Sequence, residues 1–286
     1  MVKYRMHENG WVVILEDVNF KTINQEDINH IARLVAHHTC VVAYDQDLSV
    51  EDELRVLNMF KNPEPLVTPS DENYKHYWVK GTDGLIQRVT ADVDEDGVEG
   101  IAAYVDEMVW HCNDLPWKKK SPIVWLYGVK GTVGSRTSWN NNVLSYNDLD
   151  TETKELVDGL KFVPLTEVEF EDNLHDGTGW FDETYTPDVV HTNIAGKTGM
   201  LFPFNQISHF VGMTKEESQP LIDKLREFTT QEKYCYHHDW VNGSLVISEQ
   251  NLGLHKRWPF EKIKERLVHR AMFDFPDQDY LKDPDA

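Results

Sequence analysis

The run IVWLYGVKG at positions 123–131 reads as a buried strand. It is one of many short strands that no regular alternation with helices connects. WVVIL (11–15), CVVAYDQ (40–46), IQRVTADV (86–93) and RLVHRAMFDF (266–275) read as further strands. VVHTNIAGKTGMLFP (189–203) reads as strand, Gly turn, strand, and WVNGSLVISEQ (240–250) as a hairpin-like pair turning at Asn242-Gly243. Helices are fewer. Residues 24–39 carry Ile28, Ile31, Ala32, Leu34 and Val35 at amphipathic spacing, and 48–62 open on Ser49 as an N-cap. TETKELVDGLKFV (151–163) reads as a short helix running into a strand, and 214–230 as a helix with a Thr214–Glu217 capping box. A parallel doubly wound sheet does not suit this order. An antiparallel double-sheet roll with flanking helices does. We expect one domain over 1–286, with a helical flank at 20–65 and a roll at about 86–275.

Composition narrows the function. Twenty-eight Lys plus Arg stand against 49 Asp plus Glu, a net charge of −21. Neither nucleic-acid phosphates nor an anionic membrane suits such a chain as partner. No apolar run approaches the ~20 residues of a membrane span, and the first residues lack a continuous apolar signal core. Cys40, Cys112 and Cys235 are odd in number and far apart, so reduced thiols in a cytoplasmic protein are expected. The tail PDQDYLKDPDA reads as frayed.

Thirteen histidines invite metal sites. A non-haem iron site of the facial type takes two His and one carboxylate, leaving positions open for substrate and O₂. Two ligands come readily from one H-x-D/E segment, because alternate residues of an extended chain point the same way. Two segments offer such a pair. His237 and Asp239 give a literal H-x-D, although they also read as a solvated strand end. WHCND (110–114) has His111 followed by Asn113 and Asp114.

WHCND, GSRTSW (134–139), VHTNIAGKTGMLFP (190–203) and residues 240–270 together resemble the taurine dioxygenase family of Fe(II)/2-oxoglutarate-dependent oxygenases, from about residue 25 to 275. In that family a W-H-x-D segment precedes a Gly-Gly-Asp-Thr turn, here Gly134-Ser135-Arg136-Thr137. A later segment ends in the distal histidine; here it runs through Trp240, Gly243, Ser244, Glu249-Gln250-Asn251 and His255. Each motif is weak alone, and their order carries the likeness.

The resemblance implies a mostly β fold with flanking α, a double-stranded β-helix of jelly-roll, cupin-like form. It implies Fe(II) and 2-oxoglutarate as cofactors, with O₂ and a small molecule as substrates, and hydroxylation of an unactivated C–H. It implies His111 and His255 as metal ligands. Arg266 and Thr137 would grip the distal carboxylate of 2-oxoglutarate, a task that suits a planar guanidinium. Arg270 would stand near the keto-acid end or the substrate's anionic group, and Trp110 would line the pocket. Residues 71–98 and 172–186 fall where the family places lids. A homo-oligomer is compatible with it.

One position departs. The family's carboxylate falls at 113, which is Asn. Asp114 could reach the metal through a one-residue bulge. Asn113 could ligate as a neutral oxygen, or the place could be filled by chloride or water, as in oxygenases that halogenate carbon. A roll that binds without catalysis is a further alternative. Arg270, Arg257 and Lys256 near the distal histidine would suit an amino-acid-like or anionic substrate, or simply form a solvated basic turn.

Overall fold

The computed structural model describes residues 1–60, 78–90, 92–93, 97, 100–101, 105–113, 115, 121–165, 185–261, 266–275 and 279–282. In chain order the elements open with β1 (Lys3–Met6), β2 (Val13–Glu16), α1 (Gln25–His38), β3 (Cys40–Ala43), α2 (Val50–Phe60) and β4 (Gln87–Val89). Then come β5 (Met108–His111), β6 (Ile123–Lys130), β7 (Arg136–Asn140), α3 (Asn142–Asn147), α4 (Thr151–Asp158) and β8 (Phe162–Pro164). After them follow β9 (Val190–Thr192), β10 (Thr198–Met200), β11 (Ile207–Phe210), α5 (Lys215–Thr229) and β12 (Cys235–Asp239). The chain closes with β13 (Leu245–Glu249), β14 (His255–Arg257) and β15 (Leu267–Phe273).

Two sheets face each other. The larger runs β1-β2-β3-β13-β6-β15-β4, and the smaller runs β12-β7-β14-β5. Pairing is antiparallel except between β2 and β3. Between the sheets lie Val42, Val124, Leu126, Val246, Val268 and Met272 against Trp139, Tyr236 and Trp240. Alternation along each strand sends Trp125, Tyr127, Ile247, Ala271 and Phe273 to the other face, where α1 and α2 cover them. Each large apolar side chain buried this way contributes roughly 1.5–3 kcal/mol. A separate apolar cluster packs α3–α5 and the β9–β10 and β8–β11 pairs against the open end of the roll.

Local signals account for the helices. Asn24 caps α1 by accepting from the Asp27 amide, and Thr214 and Glu217 form the expected capping box on α5. Ser49 and Asp52 bond each other's backbone N–H at the start of α2.

Two expectations are corrected. Residues 240–250 are not a hairpin. The turn at Asn242-Gly243 is real, with Gly243 at φ +80°, but it joins β12 in the small sheet to β13 in the large one. A Cβ at Gly243 would lie 2.4 Å from the Gln46 carbonyl oxygen, so the crossing needs glycine. The tail is not wholly frayed: Asp279–Leu281 forms a short turn, Leu281 is buried, and its carbonyl accepts from the His37 ring at 2.9 Å. The expected lid segments lie outside the described residues at 71–77 and 172–184.

Candidate active site

β5, β7, β12 and β14 bring their inward-facing side chains into two rows. The first runs Tyr236, Trp139, His255, His111 across the sheet. The second runs His238, Thr137, Arg257. His255 is set by a close approach just before it. A Cβ at Gly253 would fall 2.4 Å from the Asn140 carbonyl oxygen, and Asn140 Oδ1 accepts from the Leu254 amide at 2.6 Å.

The rings of His111 and His255 lie 4.2 Å apart between centroids, and Trp139 stacks on His255. His111 Nδ1 donates to the Val109 carbonyl at 2.7 Å, which leaves Nε2 with its lone pair. Burial lowers the His111 pKa to about 4, helped by the charges of Arg270 and Arg257 and opposed by the Val109 bond. The ring is therefore neutral at pH 7, the state a metal ligand requires.

Arg266 is 3% exposed. Its Nε donates to Ser135 Oγ at 3.1 Å, its guanidinium lies 4.7 Å from the Phe260 ring centre, and its Nη1 has no partner among the described residues. Burial, and then the charge of Arg257, lowers its pKa to about 10, so it stays cationic at pH 7. Thr137 Oγ1 accepts from Trp240 Nε1 at 2.9 Å and keeps its own proton to donate.

Arg270 Nη1 donates to Asn113 Oδ1 at 2.8 Å, and its Nε to Gln87 Oε1 at 3.0 Å. The Asn113 amide N–H donates to Gln250 Oε1 at 2.7 Å. Asp114 lies outside the described residues. Among those described, no group of three or more His, Cys, Asp or Glu could hold a metal ion. The described residues offer a divalent metal two imidazoles, and offer a carboxylate Arg266.

The structure does not bring Trp110 to this group. It alternates with His111 and faces away from the roll, with Lys256 Nζ 5.8 Å from its ring centre. His237 and Asp239 also face outward. His237 pairs with Ser138 and Glu232, and Asp239 with Arg136 at 2.6 Å. The basic turn divides: Lys256 pairs with Glu107, while Arg257 is buried and donates to the Asp106 carbonyl.

Sequence reasoning gave no role to His238, Gln87, Gln250 or Ser135, although Ser135 and Gln250 fall within its motifs. His238 is 1% exposed; its Nδ1 meets the Tyr236 hydroxyl at 3.0 Å, and its Nε2 has no partner among the described residues. Only its strand alternation with Tyr236 and Trp240 hinted that it points inward.

Residues 9–272 match the model of the taurine catabolism dioxygenase TauD, TfdA family. The chain belongs to that family. The (S)-phenoxypropionate/alpha-ketoglutarate-dioxygenase of Sphingobium herbicidovorans is 24% identical over 190 residues, 62% of this chain. That alignment covers 65% of the relative, just under two thirds of its length. The fold is shared with AAD-2, solved with Mn(II) and N-oxalylglycine (TM-score 0.82, 15% identity, 96% of this chain and 98% of that one). It is shared too with a taurine dioxygenase from Burkholderia xenovorans (TM-score 0.74, 18% identity, 96% and 90%). No described helix is long and apolar enough to cross a membrane.

Proposed function

We propose that the protein is an Fe(II)- and 2-oxoglutarate-dependent dioxygenase that hydroxylates a C–H bond of a small amino-acid-like or anionic molecule. One observation carries the reading. One roll holds two neighbouring imidazoles, their ring centres 4.2 Å apart, and a buried arginine whose Nη1 has no described partner. A buried polar group without a partner costs roughly 1–3 kcal/mol, which a ligand carboxylate at Arg266 would relieve.

His111 and His255 would hold Fe(II) through ring nitrogens, with the Asp114 carboxylate as the third protein ligand. Arg266 and Thr137 would bind the distal carboxylate of 2-oxoglutarate. When bound, iron and 2-oxoglutarate supply the oxidising chemistry, with O₂ as oxidant and succinate and CO₂ as products. The chain's residues bind, orient and exclude water: Trp139 and Tyr236 wall the first row, and the Val109 carbonyl fixes the His111 tautomer.

Succinate release from 2-oxoglutarate under Fe(II) and O₂ tests this. Release that stops on His255→Ala supports it; absence of release with every candidate substrate contradicts it. A second reading, a roll that binds without catalysis, draws on Asn113 standing where the family has a carboxylate. It predicts ligand binding with no succinate.

A further inference from the structure

We propose that Asn113 is a hydrogen-bond donor to the cosubstrate rather than a metal ligand, held in that role by Arg270. The proposal rests on the dioxygenase reading and deepens it at one position.

A side-chain amide has one accepting end and one donating end, nearly identical in shape. The partner decides which is which. Here the partner is a guanidinium, which only donates. Arg270 Nη1 lies 2.8 Å from the Asn113 side chain, so the atom facing it is Oδ1. Turning the amide over would set its NH₂ against the guanidinium, donor against donor. Arg270 is itself fixed by Gln87 Oε1. The backbone of Asn113 is fixed by Gln250, whose Nε2 donates in turn to the Ser121 carbonyl.

One lone pair of Oδ1 is taken by Arg270, and the positive guanidinium beside it opposes a cation on the other. What remains is Nδ2, a donor, and a donor cannot ligate a cation. Asn113 is 7% exposed, and Nδ2 is buried with no partner among the described residues. It sits in the turn that leaves β5 directly after His111. Arg270, which holds the Asn113 oxygen, also lies near enough to His111 to act on its charge, and we assign to Nδ2 an acceptor bound at the imidazoles. On the dioxygenase reading that acceptor is the keto-acid end of 2-oxoglutarate. Position 113, where the family has a metal-binding anion, would here contribute to cosubstrate affinity instead.

The test separates metal from cosubstrate by calorimetry on the full chain without O₂, using Mn(II) alone and then N-oxalylglycine on the Mn(II)-loaded protein. For Asn113→Ala we expect Mn(II) affinity within about twofold of the parent and N-oxalylglycine affinity lower by about tenfold, the size of one buried hydrogen bond. Asn113→Ser keeps a donor and should recover part of that loss; it also serves should the alanine variant not fold. Asn113→Asp replaces the donor with an anion and should bind N-oxalylglycine more weakly than Asn113→Ala. A tenfold loss of Mn(II) affinity in Asn113→Ala would overturn the proposal, as would a tenfold gain in Asn113→Asp. Unchanged N-oxalylglycine affinity, or equal losses in the Ala and Ser variants, would overturn it too. If the parent chain binds no N-oxalylglycine, the dioxygenase reading itself fails; if the parent binds and only the variants misbehave, this inference fails alone.

Discussion

Strand β15 carries two polar groups in succession, His269 buried and Arg270 half-buried, and they face opposite sides of the sheet. His269 points out of the roll toward α2, where its Nδ1 donates to Glu53 Oε1 at 2.6 Å. Glu53 Oε2 accepts from Trp125 Nε1 at 3.1 Å. Both carboxylate oxygens and the indole are thus used within the chain. Arg270 points inward, and on that side Arg266 Nη1, Asn113 Nδ2 and His238 Nε2 have no described partner. Glu53 and His269 on one side, and Arg266, Asn113 and His238 on the other, are all buried. One is closed by its own residues, and the other is left open to an added group. Between these two faces of β15, pairing rather than burial makes the difference.

That contrast can be broken at several points. His269→Ala should have the largest effect, because it leaves Glu53 buried without its main partner. A loss of ~3–5 kcal/mol is expected in urea unfolding, with no recovery on adding cosubstrate. His255→Ala should leave folding nearly intact while lowering Mn(II) affinity by ~100-fold, read by calorimetry. Arg266→Met should behave opposite to His269→Ala. It removes a buried unsatisfied donor, so stability should change by less than ~1 kcal/mol or rise. A large destabilisation would show that Arg266 is paired for structure and would erase the contrast.

A further, pH-dependent effect concerns His238. Burial lowers its pKa to about 4, so the unfolded chain takes up its proton first as the pH falls. Its contribution is full above the unfolded value near 6.5 and is lost as pH drops toward 4. At pH 6 the parent should therefore lose ~1 kcal/mol more than His238→Gln, relative to pH 8. Parallel pH profiles would contradict this.

The helices and the central strands were legible because their signals are local. Apolar spacing placed α1, and the Thr214–Glu217 pair placed α5. β6 announced itself by composition. β5 and β7 did not, since MVWH and RTSWN are short and mixed. The Asn242-Gly243 turn was visible, but which sheets it joins depends on pairing with Val41, Trp125 and Ser138, far away in sequence. The site divides in the same way. The order of His111, Thr137, His255 and Arg266 stood out against a family pattern. The roles of Gln87 and Gln250 were not legible, because they lie in bonds to Arg270 and Asn113 across the fold.

The central claim is that the open donors of the inner face await a dicarboxylate. The most direct measurement is calorimetric titration of N-oxalylglycine into the Mn(II)-loaded chain and into its Arg266→Met variant. The account predicts one-to-one binding to the parent and a loss of roughly 10- to 100-fold in the variant, the worth of a charge-assisted carboxylate pair. No binding to the parent, or equal binding to both, would contradict it.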